Sequence, residues 1–177
     1  RMKFQKYMAV GILGLTMALG FSGCQSENQK NQDAYRKIGI NSMAEGDYDK
    51  AVKSFQKALD TSLGKIGAEE IDICYYKAAA QFAKKDYDGA IETYTSLIDY
   101  DKENANAYYL RGSVYLDTDK KDKAFKDYKN AVKYAGREYE IYEGIYENLT
   151  NKGETEEAGT SIPIYSGKAT PALQIPE

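Results

Sequence analysis

Carboxylates are the side chains of this sequence that could perform acid–base or metal chemistry, because its 177 residues include no histidine. The lack of histidine removes Ser-His-Asp and Cys-His nucleophile systems and histidine metal sites. Six acids have the ligand type that calcium prefers: Asp99, Asp101, Glu103, Asp117, Asp119 and Asp122. The Asp-x-Asp-x-Asp-Gly spacing with a distal glutamate is missing, so solvated turns explain these acids better. No phosphate-binding glycine loop is present either, and the sequence predicts neither an enzyme nor a bound cofactor.

The first of the two cysteines, Cys24, follows a segment typical of an export signal. Two lysines precede an uncharged, mostly apolar run over residues 8–21, which is shorter than the roughly 20 residues of a transmembrane helix. The sequence FSGC at 21–24 resembles a bacterial lipobox, whose cysteine is lipidated and becomes the mature N-terminus, although Phe21 replaces the usual leucine. We expect residues 1–23 to be a lipoprotein-type signal peptide; a conventional secretory signal is the alternative. The protein would then be exported and held at the bacterial cell membrane, on its extracytoplasmic side, by the lipid on Cys24.

A near-repeat organises the rest of the chain. The hexapeptides DYDKAV and DYDGAI place Ala51 and Ala90 each four residues before an aromatic residue, and the same spacing recurs after Ala124. Ala90, Ala124 and Ala158 are separated by 34 residues in each case. Spacing of i and i+4 marks one stripe of a helix. A fixed period of this length indicates stacked helix–turn–helix units.

These residues resemble the tetratricopeptide repeat (TPR) family over residues 32–158. The third repeat is the best copy, with Ala107, Tyr108, Gly112 and Tyr115 on a first helix and Ala124, Tyr128 and Ala131 on a second. The second repeat departs from the family at Cys74, Lys77 and Gln81, and the fourth has bulky Tyr146 where the family has a small residue. The resemblance implies an all-α fold, a right-handed α-solenoid of three full repeats and an incomplete fourth.

Composition and period together divide the chain into domains. Residues 24–32 contain almost no apolar side chain and are expected to be a disordered tether. The repeat domain is predicted over 33–158, with repeats at about 33–66, 71–104, 105–138 and 139–158, and an irregular tail over 159–177. Predicted helices span 33–45, 48–61, 71–84, 87–100, 105–118, 121–134 and 139–152.

Several residues have predicted roles at the ends and faces of these helices. Asp47 and Asp86 are placed as N-caps, and residues 61–67 form the loop that holds a five-residue insertion. Cys74 is expected on a buried helix face, as a small core residue rather than a reactive thiol. Because Pro163 would stop a helix, residues 155–162 are expected to form at most a frayed turn.

In this family the first helices of successive repeats line a concave groove that binds peptides. The positions carried over are Arg36, Ile40, Met43, Tyr75, Ala79, Phe82, Tyr109, Ser113, Leu116, Glu143 and Glu147. Ile40, Ala79 and Ser113 replace the asparagine with which some relatives clamp a terminal carboxylate, so that mode of binding is not favoured. The groove would instead suit a peptide with apolar anchors and some positive charge; the alternative is that its tyrosines only cover neighbouring helices.

Two functions follow from this organisation. The first is a membrane-anchored, exported adaptor that binds another protein or peptide through the groove. The second is a structural subunit of an envelope assembly that docks through an uncapped end face formed by Tyr142, Ile145 and Leu149. The chain carries a formal charge of −3, or −6 without residues 1–23, which argues against non-specific nucleic-acid binding.

Overall fold

The computed structural model describes residues 26–161, with side chains as far as Ala158. Within this range the chain forms eight α-helices and no strand. In chain order these are α1 (Glu27–Glu45), α2 (Tyr48–Asp60), α3 (Ala68–Ala83), α4 (Tyr87–Tyr100), α5 (Ala105–Asp117), α6 (Lys121–Tyr134), α7 (Tyr139–Asn151) and α8 (Thr155–Ser161). The predicted all-α fold class is confirmed. The predicted signal peptide, Cys24 and the residues from 162 onward lie outside the described range.

Short polar side chains fix where several helices begin. The Asp47 carboxylate accepts a hydrogen bond from the Lys50 backbone N–H at 3.0 Å, and the Asp86 carboxylate accepts one from the Gly89 N–H at 3.1 Å. Such bonds satisfy amides that have no partner inside the helix. Both predicted N-caps are therefore confirmed.

The tight turn inside each helix pair has a fixed backbone geometry. One residue of each turn has a positive φ, namely Gly46, Lys85, Asp119 and Gly153. Their spacing follows the repeat period, including the insertion before the second pair. Glycine adopts this conformation without steric cost, whereas Lys85 and Asp119 adopt it because the turn requires it.

The described residues form two compact units, divided between Lys102 and Glu103. In the first unit, α1 pairs with α2, α3 pairs with α4, and α3 also contacts α1 and α2. Its core includes Met43, Ala51, Phe55 and Ile73. A Cβ atom on Gly39 would lie 2.5 Å from the Phe55 ring, so only glycine lets α1 and α2 approach this closely.

In the second unit, α5 pairs with α6, and α7 contacts α5, α6 and α8. Gly112 of α5 lies against Tyr128 of α6, as Gly39 lies against Phe55 in the first unit. Ala124 and Ala158 have no exposed surface, which is also true of Ala51 and Ala90. The alanines that set the period in the sequence are thus the points where helices pack most closely.

The expectation of a disordered tether over residues 24–32 is wrong for residues 27–32, which belong to α1. The Ser26 hydroxyl accepts a hydrogen bond from the Gln29 N–H at 3.3 Å and caps the helix. The side chain of Gln32 is buried, and its Nε2 donates to Glu70 Oε1 of α3 at 2.7 Å. Contacts with α3 therefore hold as helix a segment whose composition indicates a tether.

The second correction concerns the end of the repeat domain. Residues 155–161 form the helix α8 rather than a frayed turn. Ala158 is fully buried, and Lys121 of α6 forms an ion pair with Glu154 at the start of α8. The predicted loop over residues 61–67, between α2 and α3, is confirmed.

Candidate partner-binding surface

Five of the predicted groove positions form what we call the first-unit face: Arg36 and Ile40 on α1, with Tyr75, Ala79 and Phe82 on α3. All five are half-buried. On α3 they are spaced i, i+4 and i+7, which places them on one side of the helix. Met43 was assigned to the same groove, but it is only 7 % exposed and belongs to the core.

The aromatic residues of the first-unit face rest on the partner helix α4. The ring centroid of Tyr75 lies 6.4 Å from that of Tyr94, and the Phe82 ring meets Tyr87 edge-on at 5.7 Å. These contacts fix the two rings while part of each stays exposed. Rigid, half-exposed aromatic side chains are the usual anchors of protein interfaces.

Arg36 does not offer a free positive charge. Its Nε donates to Asp72 Oδ2 at 2.9 Å, and its guanidinium lies over the Tyr76 ring at 5.3 Å from the centroid. The ion pair joins α1 to α3 and neutralises the charge locally. A partner on this face would meet aromatic and aliphatic surface rather than a cation.

A second polar contact between α1 and α3 joins two carboxyl groups. Burial, a hydrogen bond to Asp33 and the charge of Asp33 together raise the pKa of Glu69 from its ordinary value to about 7. The like charge of Glu70 also raises the pKa of Glu69, whereas the positive charge of Arg36 lowers it. Near neutral pH the Glu69 carboxyl therefore holds a proton part of the time.

The predicted groove positions on α5 are closed. Tyr109 and Leu116 are each only 2 % exposed, and Ser113 is buried. A Cβ on Gly144 would lie 2.3 Å from the Tyr109 hydroxyl, so Tyr109 of α5 fills a space against α7. Assigning Tyr109 and Leu116 to an open groove was wrong, because their helix face is covered within the fold. Of the predicted acids on α7, Glu143 is exposed and Glu147 is half-buried.

A buried hydrogen-bond network joins α5, α6 and α7. Asn148 Nδ2 donates to the Ser113 hydroxyl at 2.9 Å and to the Tyr128 hydroxyl at 3.3 Å. The Ser113 hydroxyl in turn donates to the Tyr109 carbonyl at 2.9 Å. Sequence reasoning did not find Asn148, since an asparagine on a predicted helix gives no signal of its own. Ser113, once assigned to a peptide-binding position, instead stabilises this packing.

Sequence reasoning also missed the ion pair of Arg111 and Asp127. Arg111 Nε and Nη2 donate to the two Asp127 oxygens at 2.7 and 2.8 Å, and these hydrogen bonds raise the pKa of Arg111 above its ordinary value. A signal was present: each member directly precedes a residue of the Gly112–Tyr128 contact, so both lie where α5 meets α6. The pair supports the helix pairing and is not part of a binding surface.

The proposed uncapped end face does not exist as an exposed surface. Ile145 and Leu149 have no exposed area, and Tyr142 is half-buried, with its hydroxyl donating to the Gly136 carbonyl at 3.0 Å. The physical reason is α8, which contacts α7 and α6. Prediction of an open face was therefore wrong.

Among residues 26–161, no three cysteine or acidic side chains are grouped so that they could hold a metal ion. Cys74 is half-buried, and burial raises the pKa of its thiol, which disfavours the reactive thiolate. None of the helices in the described range is both long and apolar enough to cross a membrane.

Comparison with known proteins gives the family of this fold. Models described as "Tetratricopeptide repeat" match residues 36–94 and 105–137, and one described as "TPR repeat" matches residues 78–119. No curated protein matches the sequence.

Two solved structures titled as MamA are similar to this chain. The first shares 24 % sequence identity, covers 75 % of each chain and has a TM-score of 0.58. The second shares 22 % identity over 84 % of this chain and 99 % of its own, with a TM-score of 0.44. The first likeness supports the same fold, an α-solenoid of helical repeats. With three matching models across residues 36–137, this part of the chain consists of tetratricopeptide repeats.

Proposed function

We propose that this protein is an exported, lipid-anchored adaptor that binds another protein through the first-unit face. Tetratricopeptide repeats serve protein–protein interaction, and the family therefore supports an adaptor. The main support for this surface is that its aromatic residues are more exposed than the residues predicted for the groove on α5. The first unit holds Tyr75 and Phe82 rigid but half-exposed, whereas the second unit buries Tyr109 and Leu116.

The chemistry of the face indicates the kind of partner. Arg36 is neutralised by Asp72, while Ile40 and Ala79 add partly exposed aliphatic surface to the same face. Such a surface suits an apolar anchor segment of another protein, with desolvation of the two rings supplying most of the affinity. The adjacent acids Asp33 and Glu69 would favour basic residues beside that anchor.

The binding proposal is tested by affinity purification from detergent-solubilised membranes of the source cells. We expect Tyr75→Ala with Phe82→Ala to abolish recovery of a partner that the unmodified chain retains. Tyr139→Ala is the matched control, because Tyr139 is 55 % exposed and lies in the second unit. Equal partner recovery with both variants, at unchanged melting temperatures, would contradict a role for the first-unit face.

The anchoring proposal rests on the FSGC sequence and has a separate test. Intact-mass measurement of the native protein should show cleavage before Cys24 and the added mass of lipid. Cys24→Ser should leave the signal uncleaved or release the protein from membranes. A native protein that begins with an unmodified Gln25 would overturn the lipid anchor and leave the binding proposal standing.

A further inference from the structure

One end of the first unit, which we call the N-terminal pole, gathers the start of α1, the end of α2, the start of α3 and the end of α4. The Gln32–Glu70 hydrogen bond places the starts of α1 and α3 side by side. The ion pair of Lys84 with Asp49 joins the end of α3 to the start of α2, at the opposite pole. Short turns then bring α2 and α4 back to the N-terminal pole.

Large apolar side chains are exposed at this pole. Leu63 is 76 % exposed and Ile66 is 58 % exposed, both in the loop between α2 and α3, and Tyr100 at the end of α4 is 55 % exposed. In the described part of the first unit, the one other large hydrophobic residue with comparable exposure is Ile38, at 41 %. We refer to Leu63, Ile66 and Tyr100 as the patch; exposed large apolar residues concentrated at one pole are typical of a protein or membrane contact.

The loop that carries Leu63 and Ile66 is structured. The Thr61 and Ser62 hydroxyls donate to the carbonyls of Ala58 and Leu59 at the end of α2, at 2.6 and 2.7 Å. The Gly67 N–H donates to Glu70 Oε2 at 2.9 Å, which fixes the other end of the loop to α3. Leu63 itself has a φ of 54°, a conformation that costs energy for leucine. The insertion therefore presents its two aliphatic side chains to solvent on a fixed turn.

The chain that leads to Cys24 leaves the fold at the same pole. Ser26 caps α1 there, and Cys24 lies two residues earlier, within about 7 Å even if the backbone is fully extended. A lipid on Cys24 would therefore bring the bilayer to the N-terminal pole and nowhere else on the first unit. A lipid on Cys24 would fix only one point of the chain at the bilayer, so a second apolar contact would decide which side of the first unit faces the membrane.

We propose that the N-terminal pole lies against the bilayer, with Leu63 and Ile66 inserted among the acyl chains and Tyr100 at the level of the head groups. This orientation rests on the proposed lipid anchor. Charges around the patch are of both signs but mostly acidic, with Lys65 in the loop, Asp60 and Glu70 on the adjoining helices, and Asp99 and Asp101 beside Tyr100, so the proposed contact is apolar rather than an electrostatic attraction. Tyrosine is enriched at membrane–water interfaces, which matches the place of Tyr100.

The sequence offers a direct probe of this contact, because the chain contains no tryptophan. Full-length, lipid-modified protein with Leu63→Trp is reconstituted into phosphatidylcholine vesicles whose acyl chains carry bromine. We expect the emission of the introduced indole to shift to the blue and to be quenched by the brominated chains, at low and high salt alike. Glu45→Trp is the matched control, since Glu45 is exposed at the opposite pole and should give unquenched emission.

A second measurement uses Leu63→Ser with Ile66→Ser, and Ile38→Ser as its control. Removing two inserted aliphatic side chains should speed transfer of the protein between vesicles by roughly tenfold or more, whereas Ile38→Ser should not change that rate. A chain that floats with the vesicles but whose indole at the loop is unquenched would overturn this orientation and leave the lipid anchor standing. A chain with unmodified Cys24 that does not float would overturn both.

Discussion

Arg111 and Asp127 form a charged pair that is largely buried where α5 meets α6. Arg111 is 15 % exposed and Asp127 only 4 % exposed, and the guanidinium lies between the rings of Tyr108 and Tyr115, at 5.7 and 5.8 Å from their centroids. Desolvation offsets much of the attraction in a pair of this kind. Replacing both residues by apolar side chains should therefore lower the free energy of unfolding much less than replacing one of them.

We expect Arg111→Met to lower the free energy of unfolding by roughly 3 kcal/mol, because it leaves a buried carboxylate without its cation. The double variant Arg111→Met with Asp127→Leu should recover most of that loss. Urea denaturation at pH 7 measures both. A double variant no more stable than Arg111→Met would show that the pair itself stabilises the fold.

Gly144 is the small residue that admits Tyr109. Alanine would place a Cβ 2.3 Å from the Tyr109 hydroxyl and 2.7 Å from Cζ, and Tyr109 is too buried to move freely. We expect Gly144→Ala to destabilise the protein by roughly 1–3 kcal/mol in thermal unfolding, despite the better helix propensity of alanine. Tyr109→Phe in the same background should restore part of the loss, and no restoration would indicate a different cause.

Predictions for single residues are confirmed where the role depends on the residue's own turn, and wrong where it depends on a residue distant in the sequence. Asp47 and Asp86 act within their own turn, so their capping role could be read from the order of residues. Tyr109 was placed in a groove because its spacing on α5 matches the family. Its actual role depends on Gly144, which lies 35 residues later. The presence of a glycine in the sequence does not show which aromatic ring packs against it.

At the scale of helices, α1 and α3 are joined by polar contacts that depend on protonation. A Glu69 pKa of about 7 means that the folded protein binds a proton more tightly than the unfolded chain does. The stabilisation from that proton is complete below the ordinary carboxyl pKa and is lost as pH rises through about 7.

We therefore expect Glu69→Gln to weaken the dependence of stability on pH between about 4.5 and 7, relative to the unmodified protein. Urea midpoints measured across that range test this. The exposed residue Glu45 gives the control, since Glu45→Gln should leave the pH dependence unchanged. The same slope in the Glu69→Gln protein and in the unmodified protein would contradict the assignment.

The helix boundaries could largely be predicted, and the exceptions share a cause. Helices α4 and α6 begin and end where the repeat pattern places them. The start of α1 was missed because residues 25–32 are polar, and polarity alone cannot show that Gln32 will bond to Glu70. The length of α8 was underestimated because Pro163 lies beyond it, and a proline limits a helix without fixing its last residue.

For the molecule as a whole, α8 decides whether the second unit ends in a closed surface. It covers the side of α7 that carries Ile145 and Leu149, both fully buried. The ion pair of Lys152 with Asp117, at 3.1 Å, fixes the turn before it to α5. Without α8 two large aliphatic side chains would meet water.

Ending the chain after Glu154 should therefore cause concentration-dependent self-association, measured by analytical ultracentrifugation. A chain that ends after Ser161 keeps α8 and should sediment as the unmodified protein does. Adding Ile145→Glu and Leu149→Glu to the shorter chain should restore its solubility. A shorter chain that sediments like its longer counterpart at high concentration would contradict the capping role of α8.

The 34-residue period in the sequence was enough to predict a repeat protein of the adaptor type, but it was not enough to predict which surface binds a partner. A 34-residue spacing identifies the repeats because every repeat must fill the same contact, alanine against helix backbone. Which faces stay open is set by single substitutions within that pattern. Tyr75 and Tyr109 occupy equivalent positions, yet the first is half-exposed and the second buried.

The short length of α8 determines how often this helix opens. A seven-residue helix is too short to persist alone in water, so each opening of its contacts with α6 and α7 also melts it. Opening of this kind proceeds locally, at a free energy below that of global unfolding. The amide of Ala158, bonded to the Glu154 carbonyl at 3.0 Å, would thus exchange its hydrogen with solvent well before the amides in the middle of α6. While α8 is open, the side chains of Ile145 and Leu149 are exposed to solvent. The rate at which the protein self-associates should therefore depend on how often α8 opens.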